Sequence, residues 1–217
     1  MTASSPRQDV LAILQRLAAV FEEHKPYLNE LDAKLGDGDH GLSMARGFTA
    51  AARHASQNPQ LTIGGVLAEG GMQFNEAAGS TIGILMFTAM KEAGKALAER
   101  NALSLSELAQ ALEAAMRGIM KRGKADIGQK TILDSLQPVL EVLQRAGQNP
   151  VTDIRALIST TIEGARGGAE HTRVLKSAAG RARWFVDRSE GEIDPGAVSG
   201  YLIIKTIGEY LSEKLRL

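Results

Sequence analysis

Three carboxylates crowd into eight residues of this 217-residue chain. They are Asp32, Asp37 and Asp39, with Gly36 and Gly38 forming a bend between them. Like charges this close repel unless a cation sits among them. All three are hard oxygen donors, so Mg²⁺ or Ca²⁺ is the natural guest. A calcium EF-hand loop is excluded by spacing: counted from Asp37, the fifth position is Gly41 and the twelfth is Phe48, and counted from Asp32 the third is Lys34. Zinc is disfavoured because His40 is the only soft ligand nearby and the chain has no cysteine.

Gly36, Gly38 and Gly41 also satisfy G-x-G-x-x-G, the dinucleotide fingerprint. That reading fails. No strand pattern precedes the loop, and two aspartates inside it would repel a bare pyrophosphate. The conflict disappears if a metal lies between loop and phosphate, with the carboxylates on Mg²⁺ and Mg²⁺ on phosphate oxygens.

The elements that must position this loop read as helices. Val10, Ile13, Leu14, Leu17 and Phe21 follow helical spacing after Ser5-Pro6, a plausible helix start. Ile82, Leu85, Met86, Ala89, Met90 and Ala93 repeat the pattern behind Ser80, a candidate N-cap. Ser104 and Glu107 have capping-box spacing ahead of Leu108, Leu112, Met116 and Ile119. Leu133 to Leu143 form another stripe, ended by Gly147 and Asn149-Pro150. Ile154 to Ala165 form the next, and Asp194-Pro195 opens the last. Trp184-Phe185-Val186 is a short β-prone run with helical flanks. Short connections favour antiparallel neighbours. The expectation is an all-α bundle of about eight helices forming one domain over residues 1–217. Most glycines, including the Gly64 to Gly83 cluster, are expected at helix ends.

Composition agrees with a packed fold: 44% hydrophobic and 23% charged residues. Lys plus Arg (25) equals Asp plus Glu (25), which argues against a nucleic-acid partner. No apolar run of about 18 residues suggests a membrane span. The absence of cysteine removes thiol nucleophiles and disulfides and fits a reducing, cytoplasmic setting.

The stretch from Leu28 to Gly41 reads LNxLDxxxGDGDHG, and with it the chain resembles the ADP-binding L subunits of dihydroxyacetone kinase, the DhaL family. Further blocks follow in family order: Gly79-Ser80, Arg122-Gly123-Lys124-Ala125, Gly128-Gln129-Lys130-Thr131, Gly180-Arg181-Ala182, Arg188-Ser189 and Asp194-Pro195-Gly196-Ala197. The resemblance implies a barrel-like bundle of eight antiparallel helices with a nucleotide, ADP or ATP, and two Mg²⁺ ions at one end. It assigns Asp32, Asp37 and Asp39 to the metal, and the segment His40, Gly41, Leu42 and Ser43 to the phosphates. Gly79, Ser80 and Thr81 would face the nucleotide from a second helix start, and Gly123 and Ile132 would line base and ribose. Arg181 with Asp194, Pro195 and Gly196 would close the pocket. Lys130 or Arg181 would be the cation for phosphoryl charge. No nucleophile is expected in this chain. His24, His54 and His171 read as structural.

The same resemblance implies a separate K-type subunit that holds the ketone, and either ATP or a phosphotransferase-system protein as phosphoryl donor. An alternative is a nucleotide-responsive module that docks on a transcription factor. A fatty-acid-kinase type domain is disfavoured, because that group carries a PDGDTGTNM-like loop. Leu42-Ser43 stands where Thr-Asn is frequent, Thr81 where Gly is usual, Gln129 for the Asp of GDKT, and Ile132 for a common Met. These departures bear on the sugar substrate and on nucleotide affinity, not on the metal ligands.

Overall fold

The computed structural model describes residues 5–98, 104–148, 151, 153–180 and 189–216. Among these residues there are eight α-helices and no strand. They are α1 (Pro6–Ala33), α2 (His40–Gln57), α3 (Ile63–Ala78), α4 (Thr81–Ala96), α5 (Leu105–Gly123), α6 (Ile132–Gln148), α7 (Ile154–His171) and α8 (Pro195–Leu215). A 3-10 turn, Thr172–Val174, follows α7. No described helix is long and apolar enough to cross a membrane.

Local chemistry explains most helix starts. Ser5 caps α1 in a reciprocal box with Gln8, and Pro6 fills the first position, where a missing N–H costs nothing. Ser104 and Glu107 form the expected box on α5. Thr62, Asp153 and Asp194 accept from Gly65, Ala156 and Ala197 at the starts of α3, α7 and α8. The expected stop at Gly147 is not used, since α6 runs to Gln148; Asn149-Pro150 lies outside the described residues, as does Trp184-Phe185-Val186.

One expectation needs correction. Gly64 and Gly65 fall in the first turn of α3, at a helix end as expected, but Gly70 and Gly71 lie in its middle. Gly70 and Gly71 are buried where α3 crosses Ala51, Phe87 and Met90, so small size rather than turn chemistry explains them. Gly79 does end α3. It sits at φ +58, a left-handed conformation that favours glycine.

Each helix packs on the next, and α8 packs back on α1, closing a ring. Pairwise contacts fix the directions. The Arg7 guanidinium, near the start of α1, donates to Ala55 O and Asn58 O at the end of α2. His54 meets Glu69, while Ser43 reaches Ala78 O, so α2 and α3 run antiparallel. Tyr210 donates to Asp9 at 2.6 Å, which sets α8 antiparallel to α1. The ring interior is one main apolar cluster, with a small second one of Ile63, Leu97 and Ala111. Phe21, Phe48 and Phe74 sit near the centre of the main cluster, with successive ring centroids 5.0 Å apart, one pair stacked and one edge-on.

An up-and-down ring has a simple consequence. The ends of α1, α3, α5 and α7 and the starts of α2, α4, α6 and α8 all emerge at one end. Four helix N-termini, each with a partial positive charge and orphan N–H groups, therefore gather on the same rim.

Candidate functional site

The acidic loop joins α1 to α2 on that rim. Asp32 organises it. Its carbonyl accepts from Leu35 and Gly36, and its Oδ2 accepts from the N–H groups of Gly38 (2.9 Å) and Asp39 (3.1 Å). Gly38, at φ +76, makes the reversal. The result places one carboxylate oxygen each from Asp32, Asp37 and Asp39 within 4.8 Å of one another. Burial pushes the Asp32 carboxyl above its ordinary range, opposed by the Asp39 N–H and reinforced by the charge of Asp37. Three hard oxygens crowded at this cost fit a divalent hard cation, and among the described residues no soft donor joins the cluster.

His40 opens α2 and is buried. Its Nε2 lies 2.8 Å from Ser199 Oγ of α8, and burial lowers its pKa to about 4. The ring is therefore a neutral tie between α2 and α8. The Leu42 N–H donates to Asn29 Oδ1 of α1 at 3.1 Å, and Ser43 is buried with its hydroxyl directed to Ala78 O. Of the segment expected along phosphate, these three groups therefore have partners within the protein. At Gly41 α2 approaches α1 closely: a Cβ there would lie 2.3 Å from Lys25 O.

Across the rim, Gly79, Ser80 and Thr81 form the turn from α3 into α4. Ser80 occupies the N-cap position but makes no capping bond, and its buried Oγ has no hydrogen-bond partner. Such an orphan is costly unless a ligand takes it. Thr81 is exposed beside it. Gly123 ends α5, and Ile132 opens α6, buried next to Gly196. Asp194 caps α8, its Oδ2 accepting from Ala197 N at 2.7 Å, and Pro195 is the first helical residue. Burial raises the Asp194 carboxyl to about 7, with the Lys130 charge opposing the rise. Arg181, like Arg188, lies outside the described residues.

Lys130 departs from expectation. It is 3% exposed and its ammonium donates to three carbonyls: Thr172 O (2.5 Å), Leu175 O (3.2 Å) and Glu192 O (2.5 Å). An ammonium has three hydrogens, and all three are engaged. The geometry makes Lys130 a clasp between the α5–α6 turn and both ends of the α7–α8 connection rather than a cation for phosphate. Gln129, a departure from the family pattern, braces the same turn through Asp126 N (3.0 Å).

Sequence reasoning missed several supports of the site. Asp134 accepts from Gly128 N and Thr131 N at 2.5 and 2.7 Å, fixing the entry to α6; its spacing from Thr131 carries a capping signal. Glu192 pairs with Lys34 at 2.6 Å, joining the acidic loop to the α8 entry. Ser199 carries no signal beyond its type, and Asn29, although it stands in the LNxLD block, carries none that points to Leu42. A cavity of about 460 Å³ opens between α6 and α7 beside the α5–α6 turn, lined by Ile127, Gly128, Asp134, Pro138, Gly164 and Leu175 among others.

A helical ring that turns four N-termini and an acidic cluster toward one rim is a scaffold suited to an anionic ligand bridged by a divalent cation. The chain belongs to the DAK2 domain family, which matches residues 34–209. It is 32% identical over 196 residues to the Escherichia coli protein named PEP-dependent dihydroxyacetone kinase, ADP-binding subunit DhaL; the match covers 90% of this chain and 93% of that one. It is 30% identical over 207 residues to L-erythrulose 1-kinase of Mycolicibacterium smegmatis, covering 94% of this chain and 36% of that one. The solved dihydroxyacetone kinase of C. freundii, in complex with AMP-PNP and Mg²⁺, superimposes with a TM-score of 0.71 at 26% identity. That match covers 96% of this chain and 35% of the kinase chain.

Proposed function

We propose that this chain is the nucleotide-binding subunit of a dihydroxyacetone kinase or a related ketose kinase, working with a K-type subunit that holds the sugar. The observation that carries the reading is the Asp32, Asp37 and Asp39 cluster on a rim of helix N-termini, in a chain alignable along nearly the full length of an ADP-binding relative. Asp32, Asp37 and Asp39 hold Mg²⁺, two ions in this reading, which neutralises charge on the nucleotide phosphates.

The protein's own work is positioning. The start of α2 offers its dipole to the phosphates. The orphan Ser80 hydroxyl and exposed Thr81 face the nucleotide from α4. Gly123 and Ile132 line the base and ribose side, and Arg181 with Asp194, Pro195 and Gly196 closes the pocket. The terminal phosphoryl passes from nucleotide oxygen to a sugar hydroxyl presented by the partner, and no protein nucleophile from this chain takes part. Phosphoryl supply by a phosphotransferase-system protein accords with the names of the relatives, one of which is called PTS-dependent.

Titration calorimetry of ADP with and without Mg²⁺ tests the site. Wild-type protein binds ADP tightly only with Mg²⁺. Asp37→Asn weakens that binding by tenfold or more, about 1.4 kcal/mol, and leaves the apo helical signal intact. Unchanged affinity in the variant rules out the metal assignment. Ketose phosphorylation by the purified chain alone rules out the need for a K-type partner.

A further inference from the structure

Five helices whose N-caps accept a side-chain hydrogen bond do so through their own cap residue: Ser5, Thr62, Ser104, Asp153 and Asp194. α2 is different. Its N-cap is Asp39, among the strongest capping types, yet Asp39 makes no capping bond to its own helix. The N–H that an N-cap aspartate ordinarily takes is that of the third helical residue, here Leu42. That N–H is held instead by Asn29 Oδ1, from α1, at 3.1 Å.

Asn29 and Asp32 are three residues apart on α1 and so share a face. Both reach across to the same helix start. Asn29 takes Leu42 N, while Asp32 Oδ2 takes Gly38 N and Asp39 N. The missing Cβ of Gly41 lets α2 approach α1 closely enough for this; the nearest heavy atoms to that absent carbon include Lys25 O at 2.3 Å and Asn29 Oδ1 at 2.9 Å. With Leu42 satisfied from outside, the Asp39 carboxylate lies with those of Asp32 and Asp37.

We propose that Asn29 is a positioning residue for the cation site: it caps α2 from the neighbouring helix, which keeps the Asp39 carboxylate with Asp32 and Asp37 instead of folded back onto its own helix. This rests on the cation reading above. Asn suits the role because it offers the same acceptor as Asp without adding a fourth negative charge to the cluster.

The test uses Mn²⁺ as an oxygen-seeking probe read by electron paramagnetic resonance, with thermal melts of the metal-free protein beside it. Removing a group that orients a ligand costs about 10–100-fold in metal affinity, and Asn29→Ala is expected to lie in that range. Asn29→Asp, which keeps the acceptor, retains wild-type affinity or exceeds it. In the metal-free protein, Asp39→Ala costs more in the Asn29→Ala background than in wild type, by about 2–4 °C, because Asp39 has then taken over the cap. Wild-type affinity in Asn29→Ala, equal loss in both Asn29 variants, or equal Asp39→Ala costs in the two backgrounds each overturns the proposal. Wild-type protein that binds no Mn²⁺ overturns the cation reading itself, and this proposal with it.

Discussion

At the scale of single residues, two ionisable groups on the rim oppose one another, His40 buried and Asp194 partly covered. Asp194 is raised from 3.8 to about 7, and His40 is lowered from 6.5 to about 4, both mainly by burial. Between roughly pH 4 and 7 the folded protein holds a proton on Asp194 that the unfolded chain has lost, so this group's contribution falls as pH rises. Between about pH 4 and 6.5 the unfolded chain binds a proton on His40 that the fold refuses, so that contribution rises with pH. The two windows overlap and largely cancel. Asp194→Asn keeps an N-cap acceptor and removes one partner of the pair. Its melting temperature relative to wild type is expected to climb from pH 4 to pH 7, in melts of the metal-free protein; a flat difference refutes the buried-charge account. Lys130 gives a second prediction. As a clasp on three carbonyls it stabilises the apo fold, and Lys130→Ala leaves those carbonyls unpaired, costing on the order of 3 kcal/mol in urea unfolding. A phosphate-binding lysine would instead leave apo stability unchanged and weaken ADP alone.

At the scale of elements, the boundaries that proved legible were those with a local chemical cause. Ser5-Pro6, Ser104 with Glu107 and Asp194-Pro195 announce helix starts because the cap is in the adjacent residues. α3 was the hardest to read. Its glycines look like punctuation, and only the crossing partners Ala51 and Met90 reveal why small residues sit mid-helix. The acidic cluster was legible because its three carboxylates fall within one short loop. Asn29, Glu192 and Ser199 were not, because their partners lie far along the chain or on another helix: Asn29 on Leu42, Glu192 on Lys34 and Lys130, Ser199 on His40. Lys130 shows the same limit, since nothing local distinguishes a lysine aimed at phosphate from one aimed at carbonyls. The capping box on α5 lies at the end of the ring away from the rim. Ser104→Ala is therefore expected to cost about 1 kcal/mol of stability in urea and leave Mg²⁺-dependent ADP affinity at the wild-type value, measured by calorimetry.

At the scale of the whole molecule, the ring separates closure from binding. α1 and α8 meet at both ends, but with different chemistry. Away from the rim, Asp9 accepts from Tyr210 and Lys214, and Arg16 makes a two-pronged contact with Glu213. On the rim, Lys34 and Glu192 close the same seam beside the acidic loop. Asp9 is the better-covered partner in the far cluster, so its loss removes the Tyr210 and Lys214 contacts across the seam, whereas the exposed Arg16 pair contributes little. A helix of 21 residues is about 30 Å long, well beyond the roughly 10 Å over which charges act in dilute salt. Asp9→Ala is thus expected to lower the apo melting temperature by about 2–4 °C for each 1 kcal/mol lost, while the shift produced by Mg²⁺-ADP stays at its wild-type size. Asp37→Asn is expected to do the reverse, leaving the apo melt in place and erasing the nucleotide shift. Because a ligand that binds only the folded state adds its own increment to stability, melts of both variants with and without Mg²⁺-ADP read closure and binding separately. If Asp9→Ala also shrinks the nucleotide shift, the far seam is coupled to the rim and the ring behaves as one strained unit rather than two independent ends.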